Sequence, residues 1–156
     1  MEELVKKLIK LKKTISTMES CTGGAVVNAI TNIEGASEII KFSAVTYSNE
    51  YKIKMGVNKN IIDTYSVYSI ETADEMSKNI SLFTESDYGI GITGKLNRYD
   101  PNNLFGDDNK VFISIYDKSR DVFEHKIIKV NLKSREENKK LIIKEIEKMM
   151  LNLLRD

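Results

Sequence analysis

Several residue types that commonly build active sites are scarce in this chain. It has one cysteine, Cys21, which excludes an internal disulfide and a cysteine-rich metal site. It also has one histidine, His125, so a structural zinc site of cysteine and histidine ligands is not expected. Any Ser-His-Asp triad would have to use that same histidine.

The chain also lacks an excess of charge and any long apolar run. Lysine and arginine number 24 against 23 acidic residues, so no overall electrostatic attraction favours nucleic acid. No apolar run approaches the roughly 20 residues that span a bilayer, and segment 1–13 is charged and amphipathic, unlike a secretory signal. We therefore expect a cytoplasmic protein that binds neither nucleic acid nor a membrane.

What the sequence does contain is an alternation of helix and strand patterns, which is typical of α/β proteins. Helical patterns cover Glu2–Leu11, Gly24–Thr31, Tyr51–Met55, Ser69 to about Phe83, and the segment from Ser134 onward. Strand patterns end at Ser20 and cover Ile39–Ser48, Tyr88–Thr93, Val111–Tyr116 and Val122–Val130, with loops over 58–66 and 94–109. The sequence predicts one domain over 1–156, a three-layer α/β/α fold with a mixed, mostly parallel sheet and a late antiparallel hairpin.

The segment Thr17–Gly24 is central, because there a strand pattern passes through a tight turn into a helix. Ser20 and Thr22 are residue types that cap helices, and Gly23-Gly24 permits a close approach to the backbone. Such a turn offers backbone N–H groups to an anion beside a serine hydroxyl. A plain helix N-terminus explains the same residues, so this stretch alone leaves both interpretations open.

Two other patterns are weaker. Gly89–Gly94 matches a dinucleotide-binding glycine motif, but Ile90 and Ile92 alternate as in a strand, and no helix pattern follows. A strand with close backbone packing is the better interpretation. Asp107-Asp108 offers carboxylates to a cation, but we expect a solvated loop tip, and His125 is expected on the solvent face of a strand.

Without a usable histidine, a serine nucleophile needs another base, and lysine serves when burial lowers its pKa. Lys52 is the best candidate, because it follows the second strand at the sheet edge that also carries the Ser20 turn. Tyr47 on the same edge offers a hydroxyl that could pass a proton. The alternative is that Lys52 is a surface lysine and Tyr47 an ordinary strand aromatic.

Taken together, Glu19-Ser20-Cys21-Thr22-Gly23-Gly24, Val45-Thr46-Tyr47-Ser48-Asn49-Glu50 and Lys52 resemble the CinA C-terminal domain family. This competence/damage-inducible family includes the stand-alone nicotinamide-nucleotide amidases of pyridine nucleotide salvage. The resemblance continues through Gly35-Ala36-Ser37, Met55-Gly56-Val57, Val67–Glu71 and Thr93-Gly94. It implies a hydrolase that converts nicotinamide mononucleotide to nicotinate mononucleotide and ammonia.

The resemblance also implies roles for individual residues. The catalytic serine, tyrosine and lysine fall on Ser20, Tyr47 and Lys52. Binding of the oxyanion or of phosphate falls on Cys21, Thr22, Gly23 and Gly24, and contacts to the substrate fall on Glu19, Asn49, Thr93, Gly94 and Arg135. It further implies a homodimer, with neither a metal nor another cofactor.

The chain departs from the family pattern at 95–110, where a loop rich in glycine and proline is replaced by bulky and charged residues. The family's Gly-Asp-Arg before the last helix is reduced to Lys133-Ser134-Arg135. If this loop approaches the substrate, side chains such as Lys95 and Arg98 replace backbone contacts. The alternative function is therefore a catalytically altered domain that binds a nucleotide or a protein partner without deamidation, and a purely structural assembly domain is a third possibility.

Overall fold

The computed structural model describes residues 1–155 and places a five-stranded sheet between two layers of helices. The helices are α1 (Glu2–Leu11), α2 (Ala25–Thr31), α3 (Asn49–Lys54), α4 (Lys59–Tyr65), α5 (Ile70–Thr84) and α6 (Arg135–Leu153). The strands are β1 (Ile15–Glu19), β2 (Ala44–Val45), β3 (Tyr88–Gly94), β4 (Lys110–Asp117) and β5 (Val122–Lys129). None of these helices combines the length and apolar content needed to cross a membrane.

The sheet has the order β2-β1-β3-β4-β5. It is parallel from β2 through β3, and β4 and β5 then add in antiparallel fashion. One face packs against α1, α2 and α6, and the other against α4 and α5. The predicted α/β fold, with its mixed sheet and late hairpin, is confirmed.

Helix α5 lies directly on the backbone of β3. A Cβ atom on Gly89 would lie 2.0 Å from the Ser77 carbonyl oxygen, and one on Gly91 would lie 2.2 Å from that of Ala73. Only glycine permits this approach. The glycine motif at 89–94 is therefore a packing feature of a strand, as the sequence indicated, and not a phosphate-binding loop.

The predicted strand Ile39–Ser48 is wrong over most of its length. The Ile39 carbonyl still accepts the Ile15 N–H at 2.8 Å, but the Thr17 N–H then meets the Ser43 hydroxyl at 3.2 Å, where a ladder carbonyl would lie. Regular pairing is limited to Ala44–Val45, opposite Met18 and Glu19. A side chain that substitutes for the backbone ladder thus shortens the strand.

The predicted loop over 58–66 is also wrong, because it contains α4. Asn58 caps this helix through its side-chain oxygen, which accepts the Asn60 N–H at 2.9 Å. The buried Ile62 and Val67 join a small core with α5. The short helix expected at Tyr51–Met55 is present as α3 and begins earlier, at Asn49.

Candidate active site

The ends of β1 and β3 open into a cavity of about 640 Å³. Its walls come from the Ser20 turn, from the start of α3, from the segment before α5, from the loop after β3 and from the start of α6. The lining residues are Ser20, Cys21, Tyr47, Ser48, Asn49, Lys52, Val67, Tyr68, Gly94, Lys95, Leu96, Arg98, Tyr99, Asp100, Pro101, Asn102, Asn103 and Arg135.

Within this cavity the structure brings Ser20 and Lys52 together. Ser20 follows β1, and Lys52 lies in α3, which Ser48 caps just beyond β2. Lys52 Nζ lies 3.0 Å from Ser20 Oγ and donates to the Thr46 carbonyl oxygen at 2.7 Å. The parallel pairing of β1 with β2 puts both side chains at one sheet edge, as the sequence predicted.

Burial changes the chemistry of this lysine. Lys52 is 1% exposed, and its burial lowers the pKa of the amine to about 8, an effect that the charge of Asp100 partly opposes. About a tenth of the molecules then carry a neutral amine at pH 7. A neutral amine beside a serine hydroxyl can accept its proton while an N–H still donates to Thr46.

Tyr47, Asn49 and Arg135 also reach the cavity. Tyr47 is largely exposed, and its hydroxyl accepts a hydrogen bond from Arg135 Nη2 at 3.5 Å. Asn49, the first residue of α3, donates through Nδ2 to Asn103 Oδ1 at 3.0 Å. Tyr47 therefore contacts the arginine, and it makes no hydrogen bond to Ser20 or Lys52 in the described part of the chain.

Glu19 does not reach the cavity, which corrects its assignment as a substrate-binding residue. Its carboxylate is fully buried and accepts the N–H groups of Gly24 at 3.0 Å, Val26 at 3.2 Å and Val27 at 2.8 Å. The Thr17 hydroxyl donates to it as well, at 3.2 Å. Glu19 thus caps α2 from the end of β1 and holds the Ser20 turn in place.

The same contacts narrow the set of expected anion donors. The Gly24 N–H is taken by Glu19, and the Gly23 N–H donates to the Ser20 carbonyl at 2.9 Å. Among residues 1–155, the N–H groups of Cys21 and Thr22 donate to no other residue. Of these two residues Cys21 lines the cavity, whereas Thr22 is fully buried and does not. The turn therefore keeps one candidate donor that faces the cavity beside Ser20, the Cys21 N–H, not four. Burial raises the pKa of the Cys21 thiol to about 12, so this thiol stays neutral.

Thr93 and Gly94 differ in position although they are neighbours. Thr93 is fully buried, and its hydroxyl donates to the Val67 carbonyl at 2.8 Å, which ties β3 to the segment before α5. Gly94 lines the cavity. The structure therefore places Gly94 beside the candidate site and Thr93 behind it.

The divergent loop after β3 forms one wall of the cavity. Lys95 is buried and pairs with Asp108 at 3.0 Å, with its amine 5.3 Å from the centre of the Tyr68 ring. The carboxylate of Asp100 accepts the Tyr68 hydroxyl and the Asn103 amide. Sequence reasoning missed Tyr68, Asp100 and Asn103 as site residues, although Tyr68 lies in the Val67–Glu71 segment that carried part of the resemblance.

The remaining candidates lie outside the cavity. His125 contacts Asp74 of α5 through Nε2 at 2.6 Å, so it is paired, but it is not part of a triad with Ser20. Asp107 pairs with Lys110, and Asp108 pairs with Lys95. Residues 1–155 contain no cluster of three or more histidine, cysteine, aspartate or glutamate side chains placed to hold a metal ion.

Fold and site together define a three-layer α/β domain with a buried serine-lysine pair at the carboxyl edge of its parallel strands. A sequence model of the CinA C-terminal domain matches residues 1–156, and the chain belongs to this family.

Similar proteins agree with this membership. A CinA-like protein of Desulforapulum autotrophicum is 40% identical over 94 residues, which are 60% of this chain and 22% of that protein. A Caldanaerobacter subterraneus protein whose name describes it as competence-damage inducible is 45% identical over 96 residues, 60% of this chain and 23% of its own length. The matched part is thus about a quarter of these relatives.

Solved structures show the same fold over nearly the whole chain. The competence/damage inducible protein CihA of Agrobacterium tumefaciens superposes with a TM-score of 0.84 at 25% identity, over 99% of this chain and 95% of that one. A CinA superfamily protein of Escherichia coli gives a TM-score of 0.85 at 22% identity, over 97% and 89%.

Proposed function

We propose that this protein hydrolyses the carboxamide of nicotinamide mononucleotide to nicotinate mononucleotide and ammonia, with Ser20 as nucleophile and Lys52 as base. The observation that carries the proposal is the 3.0 Å contact between Lys52 Nζ and Ser20 Oγ inside a cavity. Lysine near a serine hydroxyl is one of the known ways to activate this nucleophile. Membership in the family supports the choice of substrate class.

The reaction has two halves. Neutral Lys52 takes the hydroxyl proton as Ser20 Oγ attacks the carboxamide carbon, and the resulting ammonium returns a proton to the leaving nitrogen, which departs as ammonia. Water then attacks the acyl carbon as neutral Lys52 takes one of its protons. The bond from carbon to Ser20 Oγ breaks, Lys52 returns the proton to Oγ, and the acid product leaves as the carboxylate after losing its proton to water. The N–H group of Cys21, which lines the cavity, would donate to the developing oxyanion in this scheme, and one such donor typically contributes about 10²–10³ in rate.

Two arginines support a phosphate-bearing substrate. Arg98 and Arg135, two of the four arginines in the chain, line the same cavity from different elements. Neither forms an ion pair with a carboxylate among residues 1–155, so both guanidinium groups are available to an anion. Guanidinium binds phosphate oxygens through paired hydrogen bonds.

The proposal also assigns a proton-passing role to Tyr47 between the cavity and water. It requires no metal and no other cofactor. It places the protein in the cytoplasm, and it includes the homodimer that the resemblance to the family implies. Analytical ultracentrifugation tests the dimer.

The direct test is to incubate the purified protein with nicotinamide mononucleotide and to measure both products by chromatography and an ammonia assay. We expect equal amounts of nicotinate mononucleotide and ammonia. The altered loop favours one competing function, nucleotide binding without hydrolysis. In that case the nucleotide would raise the melting temperature but form no product. At a hundredfold excess over Kd, binding adds about 2.7 kcal/mol to the free energy of unfolding.

A further inference from the structure

The loop at 95–110 is organised around one carboxylate. Asp100 Oδ2 accepts the Tyr68 hydroxyl and the Asn103 side-chain amide, the latter at 2.9 Å. Asp100 Oδ1 accepts the Asn102 backbone N–H at 2.9 Å. Three donors from two segments of the chain therefore meet at this side chain, which fixes the turn over 100–103 against the segment before α5.

The same cluster reaches the helix that carries the base. Asn103, which donates to Asp100, accepts a hydrogen bond from Asn49 Nδ2 at 3.0 Å. Asn49 is the first residue of α3, one helical turn before Lys52. The series Tyr68, Asp100, Asn103 and Asn49 thus connects the segment before α5 to α3, and all four residues line the cavity.

Asp100 is also an ionised group near the buried lysine. Partial burial opposes its charge, but the hydrogen bonds from Tyr68, Asn103 and Asn102, together with the positive charge of Lys95, outweigh this effect and hold the pKa of its carboxyl below the usual value. Its negative charge stabilises the ammonium form of Lys52. Cys21 also lies near Lys52, but its thiol stays neutral. The other titratable or charged groups that line the cavity are Tyr47, Tyr68, Lys95, Arg98, Tyr99 and Arg135.

We propose that Asp100 is a positioning residue of the candidate amidase: through Asn103 and Asn49 it holds the loop wall against α3, and from the wall of the same cavity its charge stabilises the ammonium that Lys52 forms when it deprotonates Ser20. This inference rests on the proposed function for its catalytic meaning. Protonation of a lysine that is removed from water is unfavourable in free energy, because the charged form loses its hydration. An anion fixed nearby lowers this free energy in the transition state. Asp100 and Asn103 lie in the loop that departs from the family pattern. The anion would therefore come from a segment that is particular to this chain.

The test compares Asp100→Asn with Asp107→Asn. Both remove one negative charge from the same loop, but Asp107 is exposed and pairs with Lys110, outside the cavity. Two quantities are measured: the pH profile of kcat/KM for nicotinamide mononucleotide, and the titration midpoint of Lys52 by NMR with isotope-labelled lysine. Lys52→Met identifies the Lys52 signal.

In Asp100→Asn we expect the Lys52 midpoint and the acid limb of the profile to move to lower pH. We also expect kcat at the plateau to fall about tenfold, as for the loss of one interaction with a charged group. Asp107→Asn should move neither. An unchanged Lys52 midpoint in Asp100→Asn, or an equal shift in both variants, would overturn the proposal.

Tyr68→Phe covers the case in which Asp100→Asn does not fold. It keeps the charge of Asp100 and removes one of its three donors, so KM should rise while the Lys52 midpoint stays near that of the wild type. An unchanged KM would contradict the role in holding the loop. If the wild-type protein releases no ammonia, the proposed function fails, yet the Lys52 midpoints in the two aspartate variants still decide whether the charge of Asp100 acts on Lys52.

Discussion

Lys52 Nζ lies 3.0 Å from Ser20 Oγ, and both side chains are almost completely withdrawn from solvent. The two residues are 32 positions apart in the chain, and the parallel pairing of Glu19 with Val45 brings their segments together. The lysine keeps a second hydrogen bond to the Thr46 carbonyl, which fixes the direction of its amine. The site is therefore built by strand topology, and its chemistry depends on burial.

The first prediction concerns pH. Because only the neutral amine can act as base, kcat/KM for nicotinamide mononucleotide should rise with pH and level off above the Lys52 pKa of about 8. Initial rates between pH 6 and 10 test this. Below the pKa, kcat/KM should rise on the order of tenfold for each pH unit. Lys52→Met should lose most of the activity, and a flat profile in the wild type would contradict a lysine base.

The second prediction concerns the phosphate. Arg98→Ala and Arg135→Ala should each raise KM for nicotinamide mononucleotide by about tenfold or more, since a hydrogen bond to a charged group contributes roughly 1.5–3 kcal/mol. Nicotinamide riboside, which lacks the phosphate, should show little change. Arg155→Ala, outside the cavity, is the matched control. Equal losses with the riboside would show that the arginines do not bind phosphate.

The third prediction concerns Glu19. Glu19→Gln replaces an oxygen that accepts N–H groups of α2 with an amide donor, so it should destabilise the fold by about 1–3 kcal/mol. Urea unfolding measures this, with Glu34→Gln at an exposed loop residue as control. A variant of normal stability but raised KM would instead restore Glu19 as a substrate contact.

The fourth prediction concerns metals. The proposed steps use only protein groups and water, so dialysis against EDTA should leave kcat and KM unchanged. Loss of activity that zinc or magnesium restores would contradict this chemistry.

The pairing of Ser20 with Lys52 was predictable from sequence because it depends on a general rule. Side chains that follow neighbouring parallel strands share one edge of the sheet, so a serine after β1 and a lysine beyond β2 are expected near each other. The late hairpin was predictable for a similar reason, since its two strands are adjacent in the chain.

Glu19 and the short second strand were not predictable, because both depend on contacts between segments. A glutamate beside a serine suggests a substrate contact. Only the path of α2 over the end of β1 shows that backbone N–H groups of α2 donate to the Glu19 carboxylate. The apolar residues Ile39 and Ile40 favour a strand by composition, but they are buried beside a 3-10 turn at Ala36–Glu38. The contact of Asp100 with Tyr68 depends on the path of a loop without periodicity.

The measurement that tests the central claim most directly is ammonia release from nicotinamide mononucleotide by the wild-type protein and by Ser20→Ala side by side. We expect release by the wild type and a loss of at least about 10³-fold in the variant, because removal of a nucleophile leaves only binding and the oxyanion donors. Circular dichroism should show that the variant is folded. Release at the wild-type rate by a folded Ser20→Ala would contradict the serine nucleophile.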